Sequence, residues 1–328
     1  WEGVVGPLGH AAEFSLAFLT HLGRPVYGTP DGISVAVERL DRWQLPSSEP
    51  IGVPDWARGA VMYQIFPERF ANGDPSNDPE GTVPWGTEPE PIQFQGGDLQ
   101  GITQRLDHLE WLGVEVIYLN PIFTSPSNHK YDTVDYFSVD PAFGGDDALR
   151  ELVSAAHQRN IRVVLDASFN HVHPRFFAFA DLIERGPQSA FVDWFVVNDW
   201  PLSIGVREHL IGEDHPMRRW ADRWPTETGL PTVPLEGEGR AVEPSYEAWY
   251  GVATMPRLNL ANREARAHAL DVARYWVRDF DVDGWRMDVA RYVDPDFWND
   301  FRTAVREENP DAYLICLLYT SPSPRDHL

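Results

Sequence analysis

Ile161-Arg-Val-Val-Leu-Asp166-Ala-Ser-Phe-Asn170-His171 is the stretch on which the reading of the fold turns. An apolar run rich in β-branched residues ends abruptly in carboxylate, amide and imidazole side chains. That is the pattern of a buried strand of a parallel sheet whose carboxyl end carries chemistry. A second segment repeats the pattern. Asp283-Gly-Trp-Arg286-Met-Asp288 follows Val282 and again ends on chargeable groups. Between and around them strands and helices alternate. The apolar spacing predicts strands over 60–66, 114–120, 161–166, 282–288 and 312–315. It predicts helices over 102–112, 146–159, 263–280 and 295–308, the last with Pro295 in its first turn. Such alternation argues for a parallel α/β fold, and a closed barrel of this type needs eight strands, of which about five are read here.

The flanks differ. Residues 1–55 carry Phe14-Ser-Leu-Ala-Phe-Leu, the turn signal Tyr27-Gly-Thr-Pro-Asp-Gly32 and the short run Ser34-Val-Ala-Val, followed by a Pro-rich link over 45–54. They read as the last strands of a β-sandwich. Residues 56–171 are the first part of the barrel. Residues 172–258, rich in Pro, Trp and charge, read as a loop-rich inserted subdomain after strand three, and 259–315 continue the barrel.

Composition narrows the function classes. The net charge of −23 over 328 residues disfavours nucleic acid or an anionic membrane as partner, while a neutral polyol is compatible with it. No stretch of about 20 apolar residues is present, so nothing reads as a membrane span. Cys316 is the single cysteine, which excludes an intrachain disulfide and leaves the compartment, cytoplasmic or secreted, open. Thirteen Trp and eleven Tyr supply faces that stack on sugars, and that also fill cores.

Arg286 and Asp288 are two apart, so on a strand they share a face. A guanidinium there favours the ionised carboxylate, the form a covalent nucleophile needs. An ordinary strand-closing ion pair has the same spelling; the upstream Asp166…Asn170-His171 tips the reading towards chemistry. Asn72-Gly-Asp74-Pro-Ser-Asn77-Asp78, with Gly96-Gly-Asp98, gathers hard oxygen donors that suit Ca²⁺, or else forms a polar Asx-rich turn.

These segments resemble the α-amylase family of glycoside hydrolases (family 13). Asp166…Asn170-His171 resembles that family's block at the end of strand three, and Gly284-Trp-Arg286-Met-Asp288 the block at the end of strand four. His129-Lys-Tyr131-Asp132 is similar to its His-x-Tyr-Asp stretch. Met255-Pro-Arg257-Leu-Asn259 is similar to the Met-Pro-Lys-Leu block of neopullulanases, cyclomaltodextrinases and maltogenic amylases, with Arg for Lys. The resemblance implies a partial (β/α)8 barrel and a retaining hydrolase of α-1,4-glucans such as maltooligosaccharides, cyclodextrins, pullulan or starch. It implies Asp288 as nucleophile, Arg286 as its ionising partner and Asp166 as brace for the Arg. His171, His129 and Tyr131 would contact the sugar, and Asn170 would anchor the insert. It also implies a structural calcium at Asn72, Asp74, Asn77, Asp78, Gly96 and Asp98, and a homodimer in the full-length protein.

The family's proton donor, a Glu after a Gly at the end of strand five, aligns here with Cys316 and Leu317. Leu cannot donate a proton. Residues 316–328 are unlike a continuing barrel and read as a non-native tail. The expectation is therefore a fragment truncated at both ends and inactive as written. The alternative is a non-catalytic sugar-binding or scaffold relative.

Overall fold

The structure, a computed structural model, describes the backbone of residues 12–14, 16–19, 25–29, 32–34 and 43–45, and residues 52–212 and 218–316. The chain divides into two compact units, Trp1–Asp55 and Trp56–Leu328.

In the first unit Ala12–Phe14 pairs antiparallel with Trp43–Leu45. Leu16–Leu19, Pro25–Thr29 and Gly32–Ser34 form a three-stranded antiparallel sheet. The run read as one strand from Phe14 is thus divided between two sheets. Of the strand expected over residues 34–37 only Ser34 is described, at the end of Gly32–Ser34; the rest lies outside the described residues.

The second unit is built on five parallel strands: β1 (Met62–Ile65), β2 (Val116–Leu119), β3 (Arg162–Ala167), β4 (Gly284–Met287) and β5 (Tyr313–Cys316). They lie in the order β5-β4-β3-β2-β1, so each new strand adds beside the last. The pleat sorts their residues. Ile117, Leu119, Val163 and Leu165 face the main core, while Val116, Tyr118 and Val164 form a small cluster on the other face. Gly284 pairs with Tyr313 on β5, and a Cβ on it would stand 2.0 Å from the Tyr313 carbonyl oxygen. Only glycine allows the two strands to lie this close.

Helices connect the strands. The single helix expected over 102–112 is two, α1 (Leu99–Thr103) and α2 (Leu106–Trp111). Asp98 caps α1 through Gly101 N, and Arg105 (φ −109°, ψ 8°) leaves helical geometry and separates them. α3 (Gly145–His157) follows left-handed Gly144. α6 (Arg263–Phe280) is capped by Asn262 Oδ1, which accepts from Glu264 N and Ala265 N. α7 (Pro295–Glu308) is capped by Asp294. The buried faces of α3, α6 and α7 bring Leu149, Leu152, Val272, Trp276, Phe297 and Phe301 into the core.

Residues 172–258 hold α4 (Phe177–Arg185), α5 (Arg218–Thr228) and a three-stranded sheet of Ile204–Val206, Thr232–Pro234 and Val242–Pro244. Strands of three residues carry too little alternation to be legible in a sequence. Leu258 N donates to Asn170 O (3.0 Å) and Val172 N to Pro256 O (3.0 Å), so the end of the segment is tied back to its start. Among the described residues no helix is long and apolar enough to cross a membrane.

Candidate active site

Register places the polar residues of successive strands side by side on the face opposite the main core. Gln64 pairs with Tyr118, and Asp166 with Arg286. Their side chains join into one hydrogen-bonded chain. Gln64 Nε2 donates to Asn120 Oδ1 (2.8 Å) and Asn120 Nδ2 to the Tyr131 hydroxyl (3.0 Å). Tyr131 in turn donates to Asp166 Oδ2 (3.1 Å), which also accepts from the Tyr118 hydroxyl. Arg286 Nη1 donates to Asp166 Oδ2 (2.9 Å) and to Asp288 Oδ1 (2.6 Å). The chain runs from β1 to the end of β4 and terminates on the Asp288 carboxylate.

Electrostatics in this cluster depend on burial as much as on charge. Asp166 is fully buried; desolvation pushes its carboxyl up to about 7, against the pull of Arg286. Asp288 is held above the usual carboxylate range, because burial outweighs the Arg286 guanidinium and the Val289 backbone N–H. Arg286 does pull the value down, as the sequence implies, but burial outweighs that pull. Burial works against the Arg286 charge, but Asp166, Tyr118 and Asp288 together hold the guanidinium firmly protonated.

His171 is 2% exposed, and burial brings its imidazole down to about 4, so it is neutral near neutrality. Its Nδ1 meets Asn170 Nδ2 at 3.1 Å, its ring lies 5.6 Å from Trp249, and its Nε2 has no protein partner. Asn170 Oδ1 is also buried without a partner. His129 sits beside Tyr131, ring centroids 6.0 Å apart, with Nδ1 accepting from Tyr131 N (3.1 Å). Burial lowers its pKa, with Asp132 opposing. Asp132 serves the local fold, accepting from the Ser125 and Ser127 hydroxyls. Between His129 and Tyr131, buried Lys130 is left-handed (φ 59°) and pairs with Asp140 at 2.7 Å.

Tyr118, Asn120 and Gln64 belong to the site but were not singled out in the sequence. Their signal was a polar group on the non-core face of an apolar strand.

The candidate calcium residues also cluster. Asp98 Oδ1 accepts from Gly73 N and Gly101 N, and its Oδ2 from Asp74 N and Asn77 Nδ2. Asp78 Oδ1 accepts from Asn72 Nδ2 (2.8 Å), and Asp74 Oδ1 from Ser76 N and Oγ. Gly96 (φ 78°) lies against the Asn72–Asp78 pair; a Cβ there would stand 2.4 Å from Asp78 Oδ1. Asn72 Oδ1 and Asn77 Oδ1 are buried with no partner, which fits a hard cation. Among the described residues no three His, Cys, Asp or Glu side chains converge as a metal shell.

Residues 64–327 match the alpha-amylase family, described as the alpha amylase catalytic domain. A cyclomaltodextrinase of Geobacillus thermopakistaniensis (strain MAS1) is 43% identical over 272 residues, 83% of this chain and 40% of that protein. Neopullulanase 2 of Thermoactinomyces vulgaris is 42% identical over 298 residues, 89% of this chain and 45% of that protein. Among solved structures, the cyclic alpha-maltosyl-(1→6)-maltose hydrolase of Arthrobacter globiformis, in complex with cyclic alpha-maltosyl-(1→6)-maltose, superposes with a TM-score of 0.69 at 41% identity. It covers 83% of this chain and 53% of that one. The chain thus spans less than half the length of these two curated relatives.

Proposed function

Because the chain belongs to the alpha-amylase family, whose catalytic domain is a (β/α)8 barrel, we propose that it carries the nucleophile half of a retaining glycosidase site for α-1,4-glucans. The observation that carries this reading is the hydrogen-bonded chain ending on Asp288. It fixes one carboxylate oxygen on Arg286 at 2.6 Å at the carboxyl end of β4. In the proposed reaction Asp288 attacks C1 of the sugar, the C1–O bond breaks, and a glycosyl ester forms. Asp166 holds Arg286, and neutral His171, buried with its Nε2 unpartnered, is the candidate contact for a sugar hydroxyl beside them. Tyr131 and His129 border the same subsite. The names of the relatives, cyclomaltodextrinase and neopullulanase, support maltooligosaccharides, cyclodextrins or pullulan as substrates.

Retention needs a second carboxyl about 5–5.5 Å from the first, to protonate the leaving oxygen and then activate water. The position aligned with it, Leu317, lies outside the described residues, as does the rest of the tail read over 316–328 except Cys316, which ends β5. Leucine there supplies no proton, so the polypeptide as written would bind sugars without hydrolysing them. A structural Ca²⁺ over Asn72 and Asn77 belongs to the same proposal, as does pairing of two full-length chains, which light scattering would read.

A glycosyl fluoride separates the two halves of the reaction, because fluoride departs with the bonding electrons and needs no proton donor. Incubation with 5-fluoro-α-D-glucosyl fluoride should add one glycosyl group to the peptide containing Asp288, with release of fluoride. Asp288→Asn should abolish it. Labelling elsewhere, or none, would sink the nucleophile assignment. Sugar binding without labelling would favour the non-catalytic alternative.

A further inference from the structure

Val289, directly after Asp288, is left-handed (φ 42°, ψ 38°). A β-branched residue there is sterically unfavourable and persists only where its surroundings impose it. The loop it opens closes on itself through Tyr292 N to Val289 O (2.8 Å). Three side chains then hold it from outside. Trp298 Nε1 donates to Ala290 O (3.0 Å), Arg257 Nη2 donates to Tyr292 O (2.7 Å), and the Tyr250 and Tyr292 hydroxyls meet at 2.8 Å.

Two of those three, Arg257 and Tyr250, come from the segment inserted after β3. Arg257 is itself aimed. Its Nη1 lies 3.0 Å from Glu247 Oε2, its N donates to Glu247 O, and its backbone bridges His171. Cavities of about 400 Å³ and about 450 Å³ flank this contact, both lined by Asn170, Glu247, Arg257 and Tyr292. On this side the loop therefore rests on these hydrogen bonds and on the edge-on contact of the Tyr250 and Tyr292 rings, 5.9 Å between centroids, with open space around them.

We propose that Arg257 is a positioning residue for Asp288. By gripping the Tyr292 carbonyl it keeps the strained Val289 turn closed, and so makes the inserted segment part of the nucleophile's support. Arg257 acts through the loop backbone and need not touch the sugar. The inference rests on Asp288 being the nucleophile.

The test compares wild type, Arg257→Met, Arg257→Lys and Tyr250→Phe by two readouts. One is hydrogen exchange of the peptide spanning 288–293; the other is the rate of labelling by 5-fluoro-α-D-glucosyl fluoride. Arg257→Met should lower the maximal labelling rate by about fivefold or more, with the half-saturating concentration changed less than about twofold. Protection over 289–293 should fall while α6 and β3 keep theirs. Arg257→Lys should recover part of both, and Tyr250→Phe should show a smaller loss of the same sign. Wild-type labelling and unchanged protection in Arg257→Met would overturn the proposal. If Arg257→Met fails to fold, Tyr250→Phe decides, and unchanged exchange there overturns it. If wild type takes no label at Asp288, the nucleophile reading fails, and exchange alone decides whether Arg257 holds the loop.

Discussion

Asp166 and Asp288 share a single nitrogen: Arg286 Nη1 stands 2.9 Å from one carboxylate and 2.6 Å from the other. Two nearly buried negative charges therefore depend on one guanidinium. Removing it strands both. Arg286→Met should cost about 3–5 kcal/mol in urea unfolding at about pH 8. Adding Asp166→Asn to it should restore part of that loss, because one uncompensated charge disappears. A cost below about 1 kcal/mol would show that the pair behaves as a solvated surface bridge.

The Asp166 carboxyl, pushed up to about 7 by burial, gives a pH signature with a defined sign. Between about pH 4 and about pH 7 the folded chain keeps a proton that the unfolded chain has lost. Its contribution to stability is therefore greatest at the acid end and lost as pH rises to about 7. Asp166→Asn should flatten this slope. Melting temperatures of the two proteins across that window provide the check, and parallel curves would contradict the assignment.

At the other end of the same strands His157 Nε2 meets Asp283 Oδ2 at 2.7 Å, with Asp281 nearby and Arg162 opposing. Chiefly the Asp283 hydrogen bond raises its pKa, so its stabilisation is complete below about pH 6.5 and fades as pH rises through the raised value. His157→Gln should lose stability mainly on the acid side of that window. An equal loss at about pH 9 would mean that the imidazole acts through packing instead of charge.

Calcium should raise the melting temperature if Asn72 Oδ1 and Asn77 Oδ1 are ligands. At a hundredfold excess over the dissociation constant the gain would be about 2.7 kcal/mol. Asn77→Ala should abolish most of that gain and leave the melting temperature in chelator little changed. Identical melting curves with calcium and with chelator would dispose of the site.

The bounds of α6 and α7 were legible from helical apolar spacing, with Pro295 marking the first turn of α7; the side-chain caps of Asn262 and Asp294 came to light only in the structure. The strands were legible from their apolar runs, and Asp166, Arg286 and Asp288 from their place where those runs stop. All of these signals are local. Tyr118, Asn120 and Gln64 were not singled out, because what makes them part of the site is the register of β1 and β2 against β3. The net rise at Asp288 was hidden for a related reason: the lowering pull of the neighbouring Arg can be read along the chain, but desolvation comes from residues far away in it. The Arg257 grip on the Tyr292 carbonyl joins positions 35 apart. The sequence by itself determined which segments form strands and helices and which chemistries stand at their ends. Tertiary structure alone decided which of those groups meet, how dry they are and what holds the strained turn after Asp288, since burial and register belong to the assembled sheet and to no stretch of chain within it.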